Sequence, residues 1–212
     1  MICIGLCLRG HHALVVGGGS AALRKARELL AEGAQLTVCA RAFCQGFDRL
    51  PQTQTVLLQR AYTPALLKHQ LFVYAATDSA TVNQTILTQA RAHGCIALCA
   101  SPAEDDPLHS MASAHCRGIT TAVYTHGAAP ALAGSMAADA AKTLAQAYAP
   151  RLALLSHLRT LLRTKISCPA ARRRILRQLA RAHLSQLRQL HALCLSNASA
   201  AQVLHACDHL QT

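Results

Sequence analysis

The stretch ALVVGGGSAALRKARELLAEGAQLTVCARA, Ala13 to Ala42, decides the fold. Leu14 to Val16 is a short apolar run between His11-His12 and Gly17, the pattern of a buried strand. After the glycines, Leu23, Ala26, Leu29 and Leu30 recur at helical spacing, with Arg24, Lys25 and Glu28 on the other face. Gly33 stands where such a helix stops, and Leu36 to Cys39 follows as a second strand. Between strand and helix, Gly17-Gly18-Gly19-Ser20-Ala21-Ala22 fits G-x-G-x-x-A. The first glycine permits the tight turn, the second lets the backbone approach a pyrophosphate, and the small last residue lets helix pack closely on strand. The helix N-terminus then offers N–H groups and a positive dipole end to phosphates. A structural turn is the competing reading, and the strand–turn–helix context favours the nucleotide. An acid to bond the ribose hydroxyl is missing from the end of the second strand, where Ala40 and Arg41 stand. Arg41 either accommodates a 2′-phosphate or is simply solvated.

Outward from this unit the alternation continues. Val56 to Leu58 and Leu71 to Ala76 read as strands, Ala80 to His93 as a helix, and Cys95 to Cys99 as a further strand, which together predict a parallel sheet. The character changes near residue 100. Ser101 to Pro107, SPAEDDP, is a polar loop carrying three of the nine acids. Ile119 to Tyr124 reads as a strand, and Pro130 opens an alanine-rich helix expected to reach about Tyr148. Pro150 and Pro169 divide a helical remainder, in which Ile175, Leu176, Leu179 and Leu187 share a face opposite the arginines.

Composition narrows the partners. Of 212 residues, 52% are hydrophobic and 14% charged, enough for a substantial core. Aromatics are 3% and Trp is absent, which argues against a base-stacking nucleic-acid platform. The formal charge of +12 favours polyanions, whether nucleic acid, anionic membrane or a small polycarboxylate. The arginine-rich helix at Arg172 to Arg188 carries no DNA-binding motif, so no nucleic-acid partner is expected. No apolar run has the length of a membrane span, and no membrane partner is expected. Ten cysteines without C-x-x-C pairing, and no export signal, give the expectation of reduced thiols in a soluble cytoplasmic protein. Twelve histidines show no paired metal-ligand spacing, so no metal site is assigned.

Three ordered motifs carry a resemblance. LVVGGGSAALRKARELLAEGAQLTVCA, FVYAATDSATVNQTI (Phe72 to Ile86) and RGITTAVYTHGAAPALAGSM (Arg117 to Met136) resemble the siroheme synthase N-terminal domain family of precorrin-2 dehydrogenases and sirohydrochlorin ferrochelatases. The tail around AARRRILRQL is similar to that family's closing helical region. The likeness is to the stand-alone form, without a methyltransferase domain. It implies an α/β fold: a Rossmann-like parallel-sheet domain over residues 1–112, a dimerisation region over 113–149 and a small α-helical C-terminal domain over 150–212. It implies a homodimer that oxidises precorrin-2 to sirohydrochlorin with NAD (or NADP), with ferrous iron as a further substrate in members that also make siroheme. An octacarboxylate tetrapyrrole suits the positive charge.

Carried over residue by residue, Gly17, Gly18, Gly19, Ser20, Ala21 and Ala22 would hold the pyrophosphate, with Arg41, Thr77 and Asp78 beside the cofactor. Asn83 matches the family's helix-borne Asn, or is an ordinary polar residue in a first helical turn. Thr125, His126 and Gly127 would form a substrate loop before Pro130. The match departs at the expected general base, an Asp at the end of the next strand, where CIALCASPAEDDP places Cys99. Asp105, Asp106 and Cys99 are therefore the catalytic candidates, with Glu104 in the same loop, and a plain solvated loop is the alternative. His126 also replaces a glycine, and Ala129 a serine, of the family's loop. These departures bear hardest on chelation, which needs a group to take the pyrrole protons.

Overall fold

The structure is a computed structural model describing residues 1–101, 106–196 and 198–208. The chain divides into two compact units, Met1–Ser110 and Met111–Thr212.

The first unit is built on a five-stranded sheet: β1 (His12–Val16), β2 (Gln35–Ala40), β3 (Thr55–Gln59), β4 (Phe72–Ala75) and β5 (Ile96–Cys99). All its pairs are parallel, and the order is β3-β2-β1-β4-β5. Parallel strands need crossovers, and α1 (Ser20–Ala31) and α2 (Ala80–Ala92) supply two of them. The inner strands β1, β2 and β4 read as apolar runs because both faces are covered, whereas the edge strand β3 leaves Val56 and Leu57 exposed. Alternate residues go to opposite layers: Ala13, Val15, Leu36, Val38, Phe72 and Tyr74 pack with Ala22, Leu23, Ala26 and Leu29 of α1. Leu14, Val16, Cys39, Val73, Ala75 and Ala97 pack with Ile86, Leu87 and Ala90 of α2. Each full burial of a Leu or Val side chain is worth about 1.5–3 kcal/mol of transfer free energy, so this double layer is the main source of the sheet's stability. Gly33, at φ +82°, ends α1, and the Ala34 N–H donates to Leu29 C=O at 3.1 Å.

The second unit begins with an antiparallel pair, β6 (Ala112–Cys116) and β7 (Ile119–Val123), which packs on α3 (Pro130–Lys165). Three further helices follow: α4 (Pro169–Leu179), α5 (Leu184–Leu195) and α6 (Ala200–Asp208). Leu158, Leu162, Ile175, Leu179, Leu187, Leu190 and Val203 form their shared core.

Two expectations are corrected here. The helix expected to end near Tyr148 runs for 36 residues straight through Pro150, so a boundary between 149 and 150 falls inside one element. Ala133, Ala137, Ala141 and Ala145 are buried before Pro150 and Leu158 and Leu162 after it, so packing on both sides of the proline outweighs its missing N–H. The helical run Ala170 to Leu193 is two helices, because His183 starts α5 with a capping box in which its own N–H donates to Gln186 Oε1 at 2.8 Å.

Candidate functional site

In a sheet ordered 3-2-1-4-5, the connections after β1 and β4 leave to opposite faces and open a crevice at the strand carboxyl ends. A cleft of about 730 Å³ lies there. Its walls come from the β1–α1 turn (Gly17 to Gly19), the segment after β2 (Arg41 to Cys44), the segment after β3 (Arg60 to Tyr62) and the turn after β4 (Thr77 to Ser79).

The glycine turn fits a phosphate cradle. Gly17 sits at φ +133°, and a Cβ there would overlap the Ala76 carbonyl. A Cβ on Gly18 would overlap the Ala42 carbonyl, whereas one on Gly19 would meet nothing within 4 Å. The first two glycines thus let backbones cross, and the third leaves its own backbone open to the cleft. The turn is pinned by the Gly17 N–H donating to Cys39 C=O at 2.9 Å and the Cys44 N–H donating to Gly18 C=O at 2.8 Å. The first intrahelical bond of α1 runs from the Leu23 N–H to Gly19 C=O at 3.0 Å. The N–H groups of Ser20, Ala21 and Ala22 consequently have no intrahelical acceptor, and neither a side-chain cap nor a first-turn acid serves them. Ala22 is fully buried against the sheet, which only a small side chain permits. At α2, by contrast, the Val82 N–H donates to the Ser79 hydroxyl at 3.3 Å. An uncapped helix end behind an open glycine suits an anion.

The opposite wall is held by Asn83, buried in the first turns of α2. The Thr77 N–H and hydroxyl lie 3.0 and 2.7 Å from Asn83 Oδ1, and Asn83 Nδ2 donates to the Thr77 carbonyl at 3.1 Å. These bonds let Asn83 fix the Thr77–Ser79 turn that presents Asp78 to the cleft. Among the described residues lining the cleft, Asp78 is the one carboxylate. Arg41 is exposed at the cleft's β2 end, and beside it stands Arg60, which the sequence did not single out. Its signal is positional, since it follows β3 by one residue as Arg41 follows β2.

Two of the catalytic candidates, Cys99 and Asp106, are not among the residues lining the cleft. Cys99 ends β5, buried beside its register partner Ala75 and outside the cleft lining. Burial pushes its thiol pKa up, against a smaller lowering by a backbone hydrogen bond from Ser101. Such a thiol keeps its proton. Asp106 is committed to structure: Arg91 Nη2 donates to its two oxygens at 2.8 and 3.0 Å, and the Leu108 N–H donates to Oδ1 at 2.9 Å. Asp105 and Glu104 lie outside the described residues. Thr125, His126 and Gly127 belong to the second unit, in the turn between β7 and α3. There the Ala129 N–H donates to Thr125 Oγ1 at 3.3 Å, and His126 and Gly127 take φ of 51° and 78°. The His126 ring packs 4.8 Å from that of Tyr124. Among the described residues no group of three or more His, Cys, Asp or Glu could hold a metal ion, and no helix is long and apolar enough to cross a membrane. Cys39, Cys95, Cys99 and Cys194 are buried thiols.

Comparison with known proteins gives three findings. A family described as "Putative NAD(P)-binding" matches residues 4–109. A siroheme synthase of Chromobacterium violaceum is 34% identical over 172 residues, 81% of this chain and 37% of that protein. One from Sodalis glossinidius is 32% identical over 171 residues, 79% of this chain and 36% of that protein. The chain thus spans just over a third of the length of these curated relatives. Among solved structures, SirC, a precorrin-2 dehydrogenase, superposes with a TM-score of 0.66 over 99% of this chain and 100% of that one. At 22% identity this is a likeness of fold.

Proposed function

The chain belongs to the siroheme synthase N-terminal-domain-like family of NAD(P)-binding proteins, and from that premise we propose that it oxidises precorrin-2 to sirohydrochlorin. The observation that carries the reading is the uncapped start of α1, behind an open glycine, at the switch-point cleft. Bound NAD(P) supplies the hydride acceptor, as cofactors carry such chemistry while the protein orients and binds. Gly17 to Ala22 hold the pyrophosphate, and Thr77, locked by Asn83, sets the opposite wall. The reaction removes a hydride and a proton from the substrate and yields NAD(P)H and H⁺, so a base must receive the proton. Asp78 is the carboxylate that the described cleft walls offer for it, with Asp105 the alternative. The turn Thr125 to Gly127 is assigned to substrate binding, and a formal charge of +12 suits a polycarboxylate tetrapyrrole. The protein acts in the cytoplasm as a homodimer. Ferrous iron insertion needs a further group for the pyrrole protons, and neither Cys99, whose thiol pKa burial raises, nor Asp106, tied to Arg91, suits that role.

The test is anaerobic, with purified protein, precorrin-2 and NAD(P), following NAD(P)H formation and sirohydrochlorin absorbance together. Both signals rise at catalytic turnover, and Asp78→Asn lowers kcat about a hundredfold if Asp78 is the base. A full effect at Asp105→Asn with none at Asp78→Asn moves the base to Asp105. Dinucleotide binding without any turnover overturns the dehydrogenase and leaves a binding protein that kept the fold.

A further inference from the structure

The positive charge is unevenly placed along the chain. Of the 21 Lys and Arg residues, 12 lie after Ser110 against two of the nine acids, so the second unit carries +10 of the formal +12. No acid stands between Asp139 and Asp208, while Arg151 to Arg188 holds nine Arg and one Lys. We propose that this helical region is a docking track for the phosphate backbone of double-helical nucleic acid, held without reading the bases.

Some of these cations serve the fold. Arg151 Nη2 donates to Ala180 C=O at 2.8 Å, Arg172 Nη1 to Ile166 C=O at 2.7 Å, and Lys165 Nζ to Ala198 C=O at 2.8 Å. Arg159, Arg163, Arg173, Arg177, Arg181 and Arg188 are exposed. Among the described residues none of these six is in an ion pair: the pairs there are Lys25–Glu28 and Arg91–Asp106. Arg173 and Arg177 stand one turn apart on α4, opposite the buried Ile175 and Leu179, and Arg181 follows just past the helix end. The Arg151 bond brings the end of α4 back beside α3, where Tyr148, Arg151, Leu152, Leu155 and Ala180 line a shallow groove of about 220 Å³. Arg159 and Arg163 follow Leu155 at steps of four along α3, so they lie on the side where α4 packs. Two rows of guanidinium groups thus share one side of the α3–α4 pair, at about 6 Å per step.

Like charges one turn apart destabilise a helix, and a polyanion turns that repulsion into binding. Each class of polyanion asks something further of the surface. Insertion into a membrane surface needs an apolar helix face, and a protein contact needs buried aromatic or aliphatic anchors. Here Ile175, Leu179, Leu187 and Leu190 lie in the core, and no aromatic residue follows Tyr148. A phosphate backbone asks only for cations in a row, and the planar fork of arginine grips phosphate oxygens in pairs. The missing aromatics and DNA-binding motif, from which no nucleic-acid partner was expected, bear on base reading, and backbone binding does without it.

Fluorescence anisotropy of a short labelled DNA duplex and of its RNA counterpart, titrated with the full chain, tests the track. Binding is expected to survive scrambling of the sequence and to weaken at least about a hundredfold between 50 and 200 mM salt. Binding of either duplex alone supports the proposal and identifies the form. Arg173→Gln/Arg177→Gln/Arg181→Gln is expected to reduce the slope of log K against log salt by about 3, since each phosphate contact contributes about 0.9. Arg24→Gln/Arg49→Gln/Lys68→Gln removes the same charge from exposed positions of the first unit and is expected to leave the slope unchanged. Circular dichroism checks the fold of both variants. Equal losses in the two variants, no binding at 50 mM salt, or preference for one sequence overturns the proposal. Phosphatidylserine vesicles or polyglutamate bound as tightly as the duplexes would overturn it too, in favour of a membrane surface or an acidic protein.

Discussion

Asp106 has a side chain only 2% exposed, and a carboxylate so far from water needs its oxygens satisfied. Arg91 and the Leu108 N–H do this, tying the segment after β5 to the last turn of α2. Arg91 also donates to Ala97 C=O at 3.3 Å, so one guanidinium joins three segments. Asp106→Asn keeps the shape and removes the charge. Because Arg91 is 35% exposed and partly hydrated, the expected loss is about 2–4 kcal/mol of unfolding free energy, read by urea denaturation. A collapse of kcat with stability intact would instead return Asp106 to the reaction. At this scale the sequence was legible where spacing states a backbone need: Gly17 and Gly18 stand where two chains cross. Asn83 was ambiguous, since nothing in a helix's first turn says that its side chain reaches back six residues to Thr77. Arg60 escaped notice because only strand register brings it beside Arg41.

At the scale of elements, β1, β2 and β4 were legible because parallel strands buried on both faces are near-continuous apolar runs. The one that escaped, β6, reads Ala-Ser-Ala-His-Cys, without a β-branched residue, and holds its place by pairing with β7 and packing on α3. Proline misled the reading of α3. Pro150 is exposed, so its ring costs the helix a hydrogen bond without adding to the core. Pro150→Ala therefore restores an N–H and improves local propensity, partly offset by a freer unfolded chain. The expected gain is about 1–2 kcal/mol, seen as a higher Tm by calorimetry. A lower Tm would mean that the packing of Leu158 and Leu162 depends on the proline at 150.

At the scale of the whole molecule, the chain divides into two compact units between Ser110 and Met111, beyond the change of character near residue 100. What composition could not reveal is which apolar residues remain outside both cores. Leu132 and Met136 are exposed i, i+4 neighbours on α3, and so are Leu144, Tyr148 and Leu152 further along, with Leu132 at 56% and Tyr148 at 51%. Several large exposed apolar side chains on one helix point to an interaction surface rather than to chance exposure. It lies largely within the 113–149 segment assigned to dimerisation, and a two-fold axis would let it pack on its own copy. Light scattering after size exclusion is then expected to give twice the 22.5 kDa of one chain. Met136→Glu combined with Tyr148→Glu would bury charge at such a contact and is expected to give a folded monomer. Because the substituted positions are exposed within the chain, far-ultraviolet circular dichroism should hardly change, which separates loss of the dimer from loss of the fold. A wild-type chain that runs as a monomer at all concentrations would remove the homodimer from the proposal and leave the cleft, complete within the first unit, as the functional element.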